Sequence, residues 1–320
     1  MKLSFVLPTY NNAKTLNECL QSIYSQNFDK NEFEVILIDG GSNDETISIA
    51  KKYPTIIKKN PKRVEDNARI IGINAAKAEI VAFVDADNIL VGKEWIKNML
   101  APFEDKEIVC ADTFYFGARK TDPMKVRYQA LIGGDDPIAS YLGFHSRWCY
   151  FKNNWTDFPH LDEKKKGYTK VILPNPELIP SIGSNGFLFR KKIFKRYFFK
   201  TQLHPDYIYE MIKDGHKVIA KVDAEIIHNQ PTFFKNKLRR IKRRMNGEIR
   251  IEYHYGINNW KMFKTALWIG TLIPLTYDII NGYLRKRDSA WLFHYPASIG
   301  LLLIYGFYKV REIFGSKIWR

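Results

Sequence analysis

Short apolar runs of strand length alternate with helical patterns from residue 3 to residue 90, and this alternation is the strongest constraint on the fold. Residues 3–7, 34–38 and 80–84 are the clearest apolar runs. Between the first two, residues 16–24 repeat apolar side chains at helical spacing. Strands that are apolar on both faces are typical of parallel sheets covered by helices on both sides. The sequence therefore predicts an α/β fold built on a mostly parallel sheet with helices on both faces.

The residues that follow these strands are candidates for a ligand site. Pro8 follows the first strand, Asp39 ends the second, and Asp85 follows the strand at residues 80–84. Ligands of open α/β sheets bind beyond the carboxyl ends of the strands. We therefore expect these three positions to border one crevice.

Asp85 and Asp87 lie two positions apart, just past a buried strand, and suit a divalent metal. Two carboxylates at this spacing can gather Mg²⁺ or Mn²⁺, which would then bridge them to a diphosphate. The sequence Asp-x-Asp-Asn is also ordinary turn chemistry, so the motif by itself is consistent with a simple turn. Its position at the end of a strand that should border the crevice favours the metal site.

The segment 39–46 follows the second strand and contains two adjacent glycines. Glycine lets the backbone approach a ligand closely, and Asp39 at the end of a buried strand would point into the same crevice. The alternative is an ordinary βα loop in which Ser42 or Asp44 caps the next helix. The two interpretations are compatible, because one residue can cap a helix and bind a ligand.

Three motifs, at residues 5–11, 39–46 and 83–87, resemble in order and spacing those of the family 2 glycosyltransferases, which have the Rossmann-like GT-A fold. The resemblance covers residues 3–90 and, less closely, residues 180–230. It implies an inverting, hexosyltransferase-like enzyme of glycan biosynthesis. The donor would be a nucleotide-diphosphate sugar of the UDP or GDP type, and Mg²⁺ or Mn²⁺ would be the cofactor.

The resemblance also implies roles for single residues. Pro8 and Tyr10 would border the nucleotide base, and Asp39 would bind the base or the ribose. Asp85 and Asp87 would hold the ribose and the metal-bound diphosphate.

Two further segments match the family pattern less closely. Arg69 corresponds to a basic residue of the preceding helix that helps to bind the nucleotide sugar, although Ile70 stands where an Asn usually follows. Gly183, Ser184 and Asn185 resemble the glycine-containing strand on the acceptor side. These residues are therefore expected near the acceptor.

An inverting transferase needs a carboxylate that deprotonates the acceptor hydroxyl. Asp206 is the carboxylate in register with the family's catalytic acidic pair, but its usual acidic neighbour is absent here. The alternative role for Asp206 is a helix cap. His228 follows a strand where some relatives carry a metal or diphosphate ligand, and its alternative is a structural histidine.

The charge of the chain points to an anionic partner. Fifty Lys and Arg against thirty-four Asp and Glu give a net charge of +16. The cluster that contains Arg240, Arg243 and Arg244 suits either the diphosphate or an anionic lipid surface. We expect no nucleic-acid partner, because no RNA-binding motif accompanies the charge. The three scattered cysteines argue against a disulfide framework.

Two apolar stretches, 262–283 and 290–308, predict a C-terminal helical hairpin attached to the cell membrane. Arg285, Lys286 and Arg287 lie between them, and spanning helices would carry these cations across the bilayer. Interfacial helices would keep them on the cytoplasmic side. The alternative is a buried helical pair or a dimer interface. The first residues form too short an apolar run for a secretion signal, so we expect the catalytic domain to face the cytoplasm.

The predicted organisation is a GT-A domain at 1–230, a basic amphipathic linker at 231–261 and a membrane-attached hairpin at 262–320. The predicted function is an inverting transfer of a sugar to a hydroxyl or phosphate acceptor, lipid-linked because the protein is membrane-attached. Two rivals are a sugar nucleotidyltransferase and a polybasic membrane scaffold with a degenerate transferase domain. The first should have a glycine-rich phosphate loop after the first strand, where this chain has residues 8–12 without glycine.

Overall fold

The computed structural model describes residues 1–198, 206–229, 233–235, 238–239, 242 and 259–318. The chain folds as two compact units. The first comprises Met1–Gly117 and Phe158–Asn229, and the second comprises Ala118–Asp157 and Gln230–Arg320.

Ten strands of the first unit form one mixed sheet within the described residues. They are β1 (Leu3–Thr9), β2 (Phe33–Asp39), β3 (Thr55–Lys59), β4 (Ile80–Phe83), β5 (Asn88–Leu90), β6 (Cys110–Phe116), β7 (Leu161–Lys165), β8 (Tyr168–Ile172), β9 (Phe187–Arg190) and β10 (Val218–His228). Their order across the sheet is β3-β2-β1-β4-β9-β6-β10-β8-β7, and β5 pairs with β10.

The helices of the described residues are numbered along the chain. They are α1 (Ala13–Tyr24), α2 (Thr46–Ala50), α3 (Glu65–Ala75), α4 (Trp95–Leu100), α5 (Met124–Ile132), α6 (Pro137–Leu142), α7 (Lys191–Phe198), α8 (Asp206–Lys213), α9 (Asn259–Gly270), α10 (Ile273–Arg285) and α11 (His294–Ile318). Two short 3-10 turns lie at Ala101–Glu104 and Ser289–Phe293.

The parallel half of the sheet places the predicted site residues at one edge. β1 pairs in parallel with β2 and with β4, and Thr9 lies opposite Asp39. Because the carboxyl ends of parallel strands meet at the same edge, the segments that follow β1, β2 and β4 converge there. The predicted convergence of the three motifs is therefore confirmed by the strand pairing.

The core of the first unit forms where helices cover these strands. β2 is buried along its whole length, and β1 nearly so, as expected for strands covered on both faces. Helix α1 buries Leu16, Cys19, Leu20 and Ile23, a single face at helical spacing. The predicted strand–helix alternation up to residue 90 is thus present, with helix ends that differ by a few residues.

The other half of the sheet is antiparallel at most of its pairings, and no clear strand pattern in the sequence predicted β6, β7 or β8. β9 runs antiparallel to β4 and β6, and the hairpin of β7 and β8 extends the sheet beyond β10. Two features concealed these strands. β7 is an exposed, charged edge strand, and β6 carries Asp112 in the core, where it is paired with Lys221 at 2.9 Å.

The second unit joins the segment 118–157 to the C-terminal helices in one core, whereas the sequence interpretation kept that segment in the first domain. Tyr128 of α5, Phe151, Trp291 and Leu301 of α11 belong to one buried cluster. The buried aromatic side chain of Phe151 thus contributes to the packing of the second unit. Local sequence patterns carry no information about this long-range pairing.

The apolar stretch 262–283 is two helices rather than one. α9 ends at Gly270 and α10 begins at Ile273, and Leu272 between them has a φ of 63°. Within the described residues, one segment, Ser289–Arg311, has the length and apolar composition to cross a membrane. The first apolar stretch is therefore divided into two shorter helices, because Gly270 and Pro274 interrupt it.

Candidate active site

The loops that follow β1 and β2 are tied together by hydrogen bonds. The amide of Gly40 donates to the carbonyl of Thr9 at 2.8 Å, and the amide of Asn11 donates to Ser42 Oγ at 2.9 Å. The amide of Asn43 donates in return to Asn11 Oδ1 at 3.0 Å. Asn11 has a φ of 52°, a left-handed conformation that Asn tolerates better than most residues. These contacts hold the two predicted nucleotide-binding motifs side by side.

Asp39 organises the loop that follows β2. Its carboxylate accepts hydrogen bonds from the amide of Gly41 at 3.0 Å, from the amide of Ser42 and from Ser42 Oγ at 2.6 Å. Gly41 has a φ of 87°, which glycine adopts without strain. Both oxygens of Asp39 are thus engaged by its own loop. Loss of this carboxylate would loosen the loop as well as remove any contact with a ligand.

Tyr10 and Pro8 border the same loops. The Tyr10 ring is 54% exposed, which leaves its face open to a planar partner. A Cβ at Gly40 would lie 3.4 Å from Tyr10 Cβ, so glycine lets the two loops meet closely. Pro8 is half-buried near the end of β1. This position is compatible with the predicted contact of both residues with a base.

Asn88 holds the Asp85–Asp87 turn in shape. Its Oδ1 accepts from the amide of Asp85 at 3.1 Å, and its own amide donates to the carbonyl of Asp85 at 2.9 Å. Its Nδ2 donates to Asn185 Oδ1 at 3.0 Å. The side chain is fully buried. Asn88 therefore connects the carboxylate turn to the predicted acceptor-side segment. In the sequence, its position as the fourth residue of Asp-x-Asp-Asn was the one signal for this role.

Asp85 faces the buried Arg69 of α3. Arg69 Nη2 lies 3.6 Å from Asp85 Oδ1 and 2.6 Å from Glu65 Oε1, and the guanidinium lies over the Phe83 ring at 5.0 Å. Burial raises the pKa of Asp85 to about 6, and the Arg69 charge opposes that rise. Arg69 is 2% exposed. Arg69 thus lies beside Asp85, where its positive charge favours the ionised carboxylate. Glu65, the second partner of Arg69, was not predicted from the sequence.

Asp87 lies beside His228 at the end of β10. Asp87 Oδ2 and His228 Nε2 are 3.6 Å apart, and β10 pairs with β5 so that His228 lies opposite Asn88. A carboxylate and an imidazole facing each other form a donor pair that suits Mn²⁺ or Mg²⁺ when substrate oxygens and water supply the other ligands. Within the described residues, no three acidic, histidine or cysteine side chains form a metal-binding group. Asp87 and His228 therefore suit a metal whose remaining ligands come from the substrate and water better than a metal held by protein side chains alone.

The segment with Gly183, Ser184 and Asn185 bends sharply next to this turn. Gly183 and Asn185 have φ values of 122° and 54°. The amide of Gly186 donates to the carbonyl of Phe83 at 2.8 Å, at the end of β4. This bond and the Asn88–Asn185 contact bring the predicted acceptor-side residues to the same edge as Asp85 and Asp87.

Asp206 begins helix α8, and its neighbour anchors that helix to the same segment. Tyr207 Oη donates to the carbonyl of Gly183 at 2.7 Å. Asp206 itself is 3% exposed. Asp206 is therefore the sequence neighbour of the residue that bonds to the predicted acceptor-side segment. Its role as catalytic base stays a prediction.

The predicted diphosphate or lipid residues Arg240, Arg243 and Arg244 lie outside the described residues.

Comparisons with known proteins identify the family of the chain. The model of the family described as "Glycosyl transferase family 2" matches residues 4–198, which is more than half of the chain. The poly(ribitol-phosphate) β-N-acetylglucosaminyltransferase TarS of Staphylococcus aureus is 36% identical over 107 residues, which cover 32% of this chain and 18% of TarS. The glycosyltransferase GlyG of Streptococcus pneumoniae is 30% identical over 128 residues, 38% of this chain and 41% of GlyG. The chain thus matches less than half the length of these relatives.

A solved structure extends the comparison to the fold. The mannosyltransferase PcManGT of Pyrobaculum calidifontis, in complex with GDP-Man and Mn²⁺, aligns with a TM-score of 0.56 at 14% identity. The alignment covers 99% of this chain and 88% of that one. The chain belongs to the family 2 glycosyltransferases, and its α/β sheet has the GT-A fold.

Proposed function

We propose that this protein transfers a sugar, with inversion, from a nucleotide-diphosphate sugar to a hydroxyl or phosphate of a lipid-linked acceptor. One observation carries the proposal: the Asp39 loop, the Asp85–Asp87 turn, His228 and Asn185 meet at one edge of the sheet. Of the relatives named above, TarS is named as an N-acetylglucosaminyltransferase and PcManGT is described in complex with GDP-Man, which supports a nucleotide-sugar donor here.

The donor is held in this proposal by the loops that follow β1 and β2. The exposed Tyr10 ring offers a stacking surface for the base, and Pro8 borders it. Asp39 keeps the loop in the conformation that lets Gly40 and Gly41 approach the nucleotide. The preformed loops reduce the ordering that donor binding would otherwise require.

The diphosphate lies, in this proposal, at the Asp85–Asp87 turn. A divalent cation held by Asp87 and His228, with Asp85 beside them, would neutralise the leaving diphosphate when bound. Arg69 keeps a positive charge behind Asp85 and favours its carboxylate form. Asn88 holds the turn that sets the direction of both carboxylates.

Asp206 accepts the proton of the acceptor hydroxyl in this proposal. A positioned carboxylate can contribute about 10²-fold or more to the rate of such a step. Attack from the face opposite the diphosphate inverts the anomeric centre. The acceptor is proposed to be lipid-linked because the second unit exposes many large apolar side chains, as described below.

Slow hydrolysis of the donor tests this function without knowledge of the acceptor. UDP-glucose, UDP-N-acetylglucosamine, UDP-galactose and GDP-mannose would each be incubated with the full chain and Mn²⁺. Release of the nucleoside diphosphate and the anomer of the freed sugar would be followed by NMR. We expect one α-linked donor to yield the β sugar first.

Two variants make this test specific. Asp87→Ala should abolish the release, whereas Asp223→Ala, which removes an exposed carboxylate from the same strand as His228, should not. Absence of release from every donor by the folded protein would contradict the proposal, and first release of the α sugar would contradict inversion.

A further inference from the structure

Helix α10 buries a carboxylate and exposes large apolar side chains. Its buried face consists of Pro274, Leu275, Asp278 and Gly282. Its exposed face carries large apolar residues at helical spacing, which are 55–74% exposed: Ile273, Tyr277, Ile280 and Leu284. A helix on the surface of a protein in water normally shows the opposite arrangement.

The buried carboxylate of α10 is well satisfied inside the second unit. Tyr141 Oη donates to Asp278 Oδ2, and His294 Nε2 lies 3.7 Å from the same oxygen. The His294 ring also contacts Tyr128 Oη through Nδ1 at 2.7 Å. This network fixes which face of α10 points inward. The exposure of its apolar face is therefore a consequence of specific polar contacts in the interior.

The neighbouring helices expose apolar residues in the same manner. In α9, Trp260, Phe263 and Leu267 recur at spacings of three and four residues and are 52–60% exposed. In α11, Leu303 and Phe307 are 68% and 65% exposed. Exposed apolar surface on this scale marks an interaction site.

The lengths of α9 and α10 determine how they can meet a bilayer. They have 12 and 13 residues, which at 1.5 Å per residue gives about 18 and 20 Å. A hydrocarbon core of about 30 Å is too thick for either helix to cross. The segment Ser289–Arg311 is long enough, but 33% of its apolar window is buried inside the protein, and it contains the buried His294.

The composition around the exposed apolar faces suits the headgroup region of an anionic bilayer. Lys261 and Lys264 lie in the first half of α9, and Lys286 and Arg287 follow the end of α10, all of them exposed. Tryptophan and tyrosine, which favour the membrane–water interface, are frequent on the exposed faces, as at Trp268. Apolar faces combined with such cations are typical of helices that lie in the plane of the interface.

We propose that α9 and α10 insert their exposed apolar faces into one leaflet of a bilayer containing anionic lipid, lying in its plane without crossing it. This inference deepens the proposed function and rests on it, because a lipid-linked acceptor would be reached at the membrane surface. A second copy of the chain is the competing occupant of the same faces.

Vesicle flotation tests the proposal with the full chain. Vesicles of phosphatidylcholine with phosphatidylglycerol should carry the protein, and pure phosphatidylcholine should bind it about ten-fold less. The double variant Ile280→Glu/Leu284→Glu should lower the binding by about a hundred-fold. Leu161→Glu is the matched control, because Leu161 is 63% exposed in the first unit. Flotation of the double variant equal to that of the wild type would overturn the proposal.

Two further measurements separate the alternatives. Alkaline carbonate should release the bound protein from vesicles, and retention in the pellet would overturn the in-plane arrangement. Light scattering should give a monomer for wild type in the absence of lipid; a dimer that the double variant disrupts, without vesicle binding by wild type, would assign the faces to a second copy.

The reversed-charge variant Lys286→Glu/Arg287→Glu keeps the apolar faces intact. It should lose the preference for phosphatidylglycerol, and an unchanged preference would contradict the role of these cations. Asp87→Ala should still float. Wild type that floats but hydrolyses no donor would therefore contradict the proposed function alone, whereas wild type that hydrolyses a donor but does not float would contradict the membrane docking alone.

Discussion

The side chain that unites the candidate site is Asn88, which carries no charge. It is fully buried and connects the backbone of Asp85 to the side chain of Asn185. The carboxylates of the motif are therefore positioned by an amide that can donate and accept at the same time. Hydrophobic periodicity gives no information on such a residue.

Asn88→Ala should lower kcat/KM for donor hydrolysis by about ten-fold, since a buried hydrogen-bond network loses its central member. Steady-state kinetics of nucleoside diphosphate release would measure this. Asn98→Ala is the control, because Asn98 is exposed on α4. Equal effects of the two substitutions would show that Asn88 does not position the turn.

Asp206→Asn should reduce the rate of transfer by about a hundred-fold and leave donor affinity unchanged, because a base acts on the acceptor rather than on the nucleotide. Rates would be measured by NMR and affinity by calorimetry. Glu210→Gln on the same helix should leave both unchanged. A large loss of donor affinity in Asp206→Asn would instead indicate a structural role as a helix cap.

The three cysteines should be unreactive in the folded protein. Cys19, Cys110 and Cys149 are all buried, and burial raises the pKa of each thiol above its usual value, so the reactive thiolate is scarce at pH 8. A colorimetric disulfide reagent should label none of them in native protein and all of them in denaturant. Rapid labelling of the native protein would contradict this burial.

At the scale of single elements, the packing of α3 on the sheet depends on a glycine. A Cβ at Gly72 would lie 2.3 Å from Val6 Cγ1 and 3.0 Å from Ile38 Cδ1, closer than side chains pack. Helix α3 carries Arg69, so its distance from the sheet also determines where that guanidinium meets Asp85.

Gly72→Ala should lower the free energy of unfolding by about 1–3 kcal/mol, because the overpacking exceeds the gain in helix propensity. Chemical denaturation followed by circular dichroism would measure it. Gly306→Ala in α11 is the control: a Cβ there meets no atom within 4 Å, so stability should stay within about 1 kcal/mol of wild type. A stabilised Gly72→Ala would refute the close packing.

Elements with a clean periodic pattern were predictable, and those without one were not. β1, β2 and β4 were evident because apolar runs bounded by polar turns have few other interpretations. β6 places Asp112 and Thr113 in the core, which hides its apolar face. α9 and α10 were joined in the prediction because hydrophobicity dominated over the helix-ending signals of Gly270 and Pro274.

At the scale of the whole molecule, the two functions that the sequence predicts, donor binding and membrane attachment, belong to different units. The first unit carries the sheet and the candidate donor site, and the second carries the exposed apolar helices. The order of motifs along the first unit was enough to predict its family. The assignment of residues 118–157 to the second unit depends on packing between segments far apart in sequence, which local patterns cannot reveal.

Calorimetric titration of UDP, GDP and their sugar conjugates, with and without Mn²⁺, tests the central claim most directly. We predict that the wild type and Asp223→Ala bind one nucleotide in a metal-dependent manner and that Asp87→Ala does not. Absence of binding to all of these nucleotides, in protein shown to be folded, would contradict the donor site and leave a polybasic membrane scaffold as the better account of this chain.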